Sequence, residues 1–219
     1  ILAVLSSPAF WRAAIASLAI ALTSGVSASA CALLMAIART RRARSGSSVW
    51  WLDVSVSLYL AVSAIVLGTG LFILLRTVAS LFTLAPVLVL LANMLVALPL
   101  AYRIIEGRLA ALAATHDRLC AGLGILCWRR LRWITLPALA TELGYASGLS
   151  AALSLGDLTV IALFGSQQFQ TLPWLLYQTM ARYRSGEAAA LALLLLCLTV
   201  GIFMLFQFMS RKVGKPIHA

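Results

Sequence analysis

Long apolar runs alternate with short basic segments along this chain. Five of these runs hold about 20 residues or more, which is enough for a helix to cross a hydrocarbon core about 30 Å thick. We therefore predict an all-α, polytopic membrane protein with five transmembrane helices. Their predicted bounds are 13–38, 54–75, 81–102, 138–164 and 188–208.

Two of the predicted spans contain residues that shape helix packing. The first has a set of small residues that allow a neighbouring helix to approach closely; they are Ser17, Thr23, Ser24, Gly25, Ser27 and Ser29. The third contains Pro86, Asn93 and Pro99. We expect these three residues to interrupt its helix, since proline cannot donate a backbone hydrogen bond.

The composition supports a membrane protein and excludes an ordinary soluble domain. Hydrophobic residues make up 63% of the chain and charged residues 11%, whereas a soluble domain has about 25% charged residues. The sequence opens on Ile1, so we expect residues 1–219 to be the C-terminal transmembrane part of a longer chain.

Basic residues are distributed unequally between the two ends of the predicted spans. Thirteen of the 17 Lys and Arg residues fall in loop 39–48, in segment 103–137 or in the C-terminal tail. The positive-inside rule places these three segments in the cytoplasm. The net charge of +11 then reflects topology and anionic membrane lipid. Nucleic acid is not a predicted partner, because the arginines are divided among loops.

Segment 118–137 is a basic, amphipathic connection between two long apolar segments. Its apolar residues recur at helical spacing; they are Leu119, Leu123, Leu126, Trp128, Leu131 and Ile134. We predict two short helices joined at Gly124, where glycine can adopt positive φ and end the first helix. Pro137 suits the first turn of the following span.

This segment resembles the cytoplasmic "EAA" loop of the permease subunits of bacterial ABC importers. The resemblance rests on Gly124, followed after nine residues by Ile134-Thr135-Leu136-Pro137, while Arg118-Leu119-Cys120 replaces the Glu-Ala-Ala triplet of the family. The resemblance implies a coupling helix that docks on an ATP-binding subunit, present in two copies. The residues implied in coupling are Arg118, Leu119, Cys120, Gly124, Trp128, Ile134, Leu136 and Pro137.

A second stretch is similar to the thiamine-importing members of that family. It comprises residues 155–165, Thr171-Leu172-Pro173, Tyr177-Gln178 and Tyr183-Arg184-Ser185. The similarity implies an inner-membrane permease that moves thiamine by alternating access, with ATP hydrolysed by a partner subunit. Implied partners are a periplasmic substrate-binding protein and an N-terminal permease half of the same chain. A ferric-iron importer permease is the alternative.

Two carboxylates fall inside the fourth predicted span, where ionisable groups are costly and usually face a cavity or a partner. Glu142 lies near the cytoplasmic end, so it can meet water or an arginine of the preceding loop, or it can take part in gating. Asp157 follows Gly156, where the pair can break the helix and let the carboxylate cap the next turn. Alternatively, Asp157 lines the translocation path and favours a cationic substrate.

The predicted outer loop 165–186 contains Trp174, Tyr177, Arg182 and Arg184. An interfacial helix is indicated, because four residues fall at roughly helical intervals: Trp174, Leu175, Gln178 and Arg182. The alternative is a docking surface for the periplasmic binding protein.

The sequence predicts no metal site, no cofactor and no catalytic group. The cysteines Cys31, Cys120, Cys127 and Cys197 form no Cys-x-x-Cys pair, and His116 and His218 have no ligand at metal-binding spacing. The chain also has no glycine-rich phosphate loop, so we expect a permease subunit and not an enzyme.

Overall fold

The computed structural model describes residues 5–44, 50, 54, 64–75, 81–122, 129, 131–164 and 169–213. All regular structure in these ranges is helical, as the all-α prediction requires. The elements are α1 (Pro8–Arg44), α2 (Ala64–Leu75), α3 (Leu81–Gly122), a π-helical turn (Leu131–Thr135), α4 (Leu136–Ala138), α5 (Ala140–Gly156), α6 (Thr159–Phe164), α7 (Leu172–Ala181) and α8 (Ser185–Val213).

Four segments of the described residues are long and apolar enough to cross a membrane. They are Pro8–Ala43, Ala85–Ala113, Ala140–Ala162 and Ser185–Lys212, and a shorter apolar helix covers Ile65–Leu74. These four segments match the predicted first, third, fourth and fifth spans, so the prediction of a multi-pass membrane protein is confirmed. Of the second predicted span, 54–75, the structure describes Val54 and the helical residues 64–75.

The prediction that Pro86, Asn93 and Pro99 interrupt the third span is wrong. Helix α3 runs through all three residues as one helix of 42 residues. A proline deprives the helix of one N–H, whereas an unwound segment inside a membrane would leave several backbone groups unpaired. Continuing the helix through both prolines therefore costs less than breaking it.

Helix α3 also corrects the prediction for the polar connection. The stretch from Arg118 to Gly122 is the end of α3 and does not form a separate short helix. The second predicted short helix is a π-helical turn, Leu131–Thr135, which passes directly into α4. The N–H of Leu139 donates to the carbonyl of Thr135 at 2.9 Å, so the backbone stays hydrogen-bonded up to the start of α5.

Helix α1 packs against α3, α5 and α7. Gly25 is the point of closest approach to α5, because a Cβ atom placed there would lie 2.7 Å from the carbonyl oxygen of Ser147 and 2.8 Å from Ala151 Cβ. One turn further on, the hydroxyls of Ser29 and Ser147 are hydrogen-bonded at 2.6 Å. The predicted role of small residues in the first span is thus confirmed.

The C-terminal helix α8 packs on the other side of α5. Gly144 and Gly148 of α5 face Ser210 and Phe206 of α8 at close range. The opposite side of α8 carries a row of exposed apolar residues: Leu193, Leu196, Val200, Met204, Leu205 and Phe208. Such a face is suited to lipid or to a further membrane helix.

Candidate functional site

Two ion pairs lie at one end of the bundle, and each contains an arginine from one of the basic segments. Arg39 Nη1 of α1 lies 2.6 Å from Glu106 Oε1 of α3. Arg108 Nε of α3 lies 3.2 Å from Glu142 Oε1, in the first turn of α5. The C-terminal end of α8, with Arg211, is at this same end because Ser210 contacts Gly144.

The opposite end of the bundle is formed by the start of α1 and by α7. Phe10 and Ala13 of α1 pack there with Leu172 and with Leu191 of α8. Among the described basic residues, this end has Arg12, Arg182 and Arg184. The packing thus separates the cationic residues in the way that the positive-inside reading required.

The predicted coupling segment is only partly within the described residues. Arg118, Leu119 and Cys120 lie in the last turns of α3, and their side chains are outside the described part. Gly124 and Trp128 also lie outside it. Ile134 is half-buried in the π-helical turn, and Leu136 and Pro137 form α4.

The stretch 131–138, which contains the end of the predicted coupling segment, includes exposed side chains and is followed directly by a buried residue. Leu139, directly after it, is fully buried in a cluster with Ala36, Ile105 and Ala146. Trp133 is 74% exposed. Sequence reasoning did not select Trp133 or Leu139, because helical periodicity placed neither on a distinct face.

A groove of about 410 Å³ runs between the coupling segment and the end of α8. Its lining is mainly apolar and includes Arg132, Leu136, Pro137, Leu143, Phe206 and Met209. The coupling segment therefore adjoins α8 as well as leading into α5.

Glu142 pairs with Arg108 through one carboxylate oxygen, Oε1. We expected Glu142 to meet water or an arginine of loop 118–137. Its partner is an arginine, but Arg108 lies before that loop, within α3. The other oxygen, Oε2, is buried and has no hydrogen-bond partner among the described residues. Glu142 also lies near the N-terminus of α5, where the helix dipole favours a negative charge. The structural reading of Glu142 therefore has direct support, and its role in gating stays a prediction.

Asp157 ends α5 and caps α6. Its backbone is extended, with φ −77° and ψ 115°, and its Oδ1 accepts a hydrogen bond of 2.9 Å from the N–H of Thr159. The predicted helix break at Gly156-Asp157 and the capping role are confirmed. The role of Asp157 in a translocation path stays a prediction.

Asn93 of α3 supports this break from the neighbouring helix. Its Nδ2 donates to Ser154 Oγ at 2.8 Å and also lies 3.4 Å from the carbonyl oxygen of Ser154, in the last turn of α5. The sequence singled out Asn93 only as an interruption of α3. A buried amide within an apolar helix was the available signal, but its partner is 61 residues away in sequence.

The predicted helical periodicity of the outer segment is confirmed by α7. The N–H of Leu172 donates to Ser17 Oγ at 2.7 Å, which fixes the start of α7 on α1. Trp174 and Tyr177 stack with ring centroids 5.7 Å apart. Trp174 is half-buried against the core, whereas Tyr177 and Arg182 are exposed.

The turn after α7 brings the second arginine of this surface close to α8. Tyr183 is 95% exposed and has a positive φ of 59°. Arg184 Nη1 lies 3.4 Å from Glu187 Oε2 at the start of α8. Arg182 and Arg184 thus flank an exposed aromatic residue on one turn, and their role in docking stays a prediction.

These features define the class of the protein: an all-α, multi-pass membrane protein with a helical segment at its basic end that leads directly into α5. No protein-family model matches the chain. It is similar to the thiamine transport system permease protein of Escherichia coli (strain K12), with 38% identity over 219 residues. That match covers 98% of this chain and 40% of the relative.

Two further relatives match over comparable lengths. The thiamine transport system permease protein of Brucella abortus (strain 2308) is 40% identical over 203 residues, covering 92% of this chain and 37% of the relative. A putative 2-aminoethylphosphonate transport system permease protein of Salmonella paratyphi A is 25% identical over 214 residues, covering 94% of this chain and 77% of the relative. The chain is therefore a homologue of the thiamine transport system permease proteins and corresponds to their C-terminal part. It spans about two-fifths of their length.

Proposed function

We propose that the protein containing this chain is the permease subunit of an ATP-driven importer that moves thiamine across the bacterial inner membrane. The observation that carries the proposal is the 38% identity to a thiamine transport system permease along 98% of the chain. The chain has the parts that such a subunit needs, which are several membrane spans and a helical segment between two of them at the basic, cytoplasmic end.

In this proposal, a separate ATPase subunit moves the coupling segment, and the segment moves α5. The backbone between them is continuous: Leu139 bonds to Thr135, and the N–H of Leu143 donates to the carbonyl of Leu139 at 2.8 Å. A displacement at Trp133 would therefore reach α5 as a rigid-body movement, with no flexible linker to absorb it. Two copies of the ATPase subunit would close on ATP binding and deliver that displacement.

The movement of α5 would then extend to the rest of the bundle. Helix α5 packs against α1, α3 and α8, and small residues line two of these contacts. Such interfaces permit one helix to shift as a unit against another. Alternating access would follow from the reorientation of α5 and its neighbours around a path shared with the N-terminal half of the permease.

At the opposite end, the proposal assigns docking of the periplasmic binding protein to the exposed side of α7 and the turn that follows it. Tyr177, Arg182 and Arg184 would contact that protein. Trp174 would support the surface from below, because its ring stacks on Tyr177 while its indole packs against the core. For the substrate, Asp157 would provide a negative charge that favours the cationic thiazolium ring of thiamine.

Uptake of labelled thiamine tests the proposed substrate. Cells that lack their own thiamine importer would express the full-length protein containing this chain, its ATPase subunit and its binding protein. We expect ATP-dependent uptake that excess thiamine suppresses and ferric iron does not. Uptake suppressed by ferric iron, or no thiamine uptake by an assembled complex that hydrolyses ATP, would contradict the assignment to thiamine.

A further inference from the structure

A small polar cavity lies beside the helix break at Asp157, between residues of α1, α3 and the segment from α5 to α7. It is lined by Ser17, Asn93, Ser154, Asp157, Thr171 and several apolar side chains. Its volume is about 10 Å³. A cavity must offer on the order of 10–15 Å³ to hold one water molecule, whereas pockets for organic ligands hold about 300–1,000 Å³. In this structure the cavity thus has room for one water molecule and is too small for an organic molecule.

Two polar atoms of the cavity lining are buried without a partner. Asn93 is 4% exposed and Thr171 is 6% exposed, and neither Asn93 Oδ1 nor Thr171 Oγ1 has a hydrogen-bond partner among the residues that the structure describes. A buried polar group without a partner destabilises the folded protein. Each of these two atoms therefore lacks a hydrogen bond that the described neighbouring residues do not provide.

The orientation of the Asn93 amide follows from its neighbours. One atom of the amide faces the carbonyl oxygen of Ser154, which can only accept a hydrogen bond. That atom must be the nitrogen, so the oxygen is left as the unpaired acceptor. Thr171 Oγ1 can donate as well as accept. The missing partner must therefore donate to Asn93 and can accept from Thr171.

We propose that this cavity binds one buried water molecule that joins Asn93 of α3 to Thr171 at the start of α7. The water donates one proton to Asn93 Oδ1 and accepts the hydroxyl proton of Thr171. Its second proton is available to another oxygen of the lining, such as the carboxylate of Asp157. Buried waters typically make about three hydrogen bonds of this kind.

The proposed water helps to satisfy polar groups beside the break between α5 and α6. Irregular backbone inside a membrane is tolerated where protein or ordered water satisfies its polar groups. Here Asn93 donates to Ser154 at the end of α5 and, through the water, is tied to α7. The water thus completes a polar connection across the break from α3 to the outer segment. This role does not depend on which substrate the protein carries.

The test is a high-resolution structure of the full-length permease with its ATPase subunit, for the wild type and two variants. Thr171→Val removes the hydroxyl and keeps the shape of the side chain. Thr179→Val is the matched control, because Thr179 is 9% exposed but donates to Leu175 O within α7 and does not line the cavity. We expect one density peak within hydrogen-bond distance of Asn93 Oδ1 and Thr171 Oγ1 in the wild type. The peak should persist in Thr179→Val and be lost or displaced in Thr171→Val.

A cavity without density, at a resolution that shows other buried waters, would overturn the proposal. A sodium ion is the competing occupant, since the lining is rich in oxygen ligands. We therefore also expect the midpoint of thermal unfolding to be unchanged when sodium is replaced by choline at equal ionic strength. A midpoint that rises with sodium in the wild type but not in Thr171→Val would assign the site to a cation and overturn the water.

Discussion

Arg108 Nε of α3 and Glu142 Oε1 of α5 lie 3.2 Å apart, at the end of the bundle where the predicted coupling segment leads into α5. This pair connects the long helix before the segment to the span after it. Helix α1 is tied to the same region through Arg39 and Glu106, which are 2.6 Å apart. The three helices at the basic end are thus joined by charge as well as by packing.

The ion pair between Arg108 and Glu142 predicts a modest loss of stability on substitution. Arg108 is 50% exposed and Glu142 is 26% exposed at the side chain. Solvent therefore screens the pair, and we expect Glu142→Gln to lower the free energy of unfolding by about 1 kcal/mol or less. Thermal unfolding of the purified complex measures this change.

The matched control is Glu187→Gln, which breaks the exposed pair of Arg184 and Glu187 on α8. Pairs of this type contribute about 0.2–0.5 kcal/mol. We expect Glu142→Gln to retain uptake per folded transporter. Loss of uptake by a folded Glu142→Gln protein would contradict the structural role and favour gating.

Gly25 predicts a steric effect at the contact of α1 and α5. A Cβ atom would come within 2.7 Å of the backbone oxygen of Ser147, which cannot move without shifting α5. We expect Gly25→Ala to destabilise the protein by about 1–3 kcal/mol. Gly201→Ala on α8 is the control, since nothing lies within 4 Å of the added atom. Equal unfolding midpoints for the two variants would argue against the close packing.

We predict that truncation of the Trp133 side chain impairs function and leaves the stability of the fold unchanged. Its side chain is 74% exposed on the coupling segment, so truncation leaves no cavity. We expect Trp133→Ala to weaken assembly with the ATPase subunit and to reduce uptake, with an unchanged unfolding midpoint. Leu193→Ala, at an exposed site on α8, is the control. Normal assembly and uptake in Trp133→Ala would remove Trp133 from the interface.

Two substitutions at Asp157 separate the effect of its negative charge from the effect of its capping hydrogen bond. Asp157→Asn retains an oxygen that can accept from the N–H of Thr159, so we expect it to fold and assemble. Asp157→Ala loses the cap and should cost about 0.5–2 kcal/mol. If the charge favours a cationic substrate, uptake falls in Asp157→Asn at equal protein level. Unchanged uptake in Asp157→Asn would leave Asp157 with its capping role alone.

Arg182 and Arg184 predict an electrostatic effect on docking. Both side chains are exposed at the end opposite the coupling segment. We expect the double substitution Arg182→Glu and Arg184→Glu to reduce the stimulation of ATP hydrolysis by the binding protein. Arg12→Glu, which changes a basic residue of α1 at the same end, is the control. Full stimulation of the double variant would place the docking surface elsewhere.

The parts of the fold that could be predicted are those with a local cause. Apolar runs predicted the spans, and Gly156-Asp157 predicted the helix break because glycine and aspartate act on their own backbone. Pro86 was misleading, since its local preference was overridden by the cost of unwinding a helix in the membrane. The contacts of Asn93 with Ser154 and of Gly25 with Ser147 depend on how distant helices pack, and no periodicity in the sequence contains that information.

In the candidate site, too, features with a local cause could be predicted and features that depend on the packing of distant helices could not. An arginine partner for Glu142 was one expected outcome, because Glu142 lies near the predicted cytoplasmic boundary. That the partner is Arg108 of α3, and not an arginine of loop 118–137, depends on how α3 and α5 pack. The exposure of Trp133 was not predicted, because the segment forms a π-helical turn whose side-chain positions differ from those of an α-helix.

Transport by purified components tests the proposed function most directly. The full-length protein would be reconstituted into lipid vesicles with its ATPase subunit, with the binding protein and labelled thiamine on one side and ATP on the other. We expect thiamine to accumulate in the direction away from the binding protein, only with ATP and only when the ATPase subunit is present. Thiamine movement that is independent of ATP, or ATP hydrolysis without thiamine accumulation in an intact complex, would contradict an ATP-driven thiamine permease.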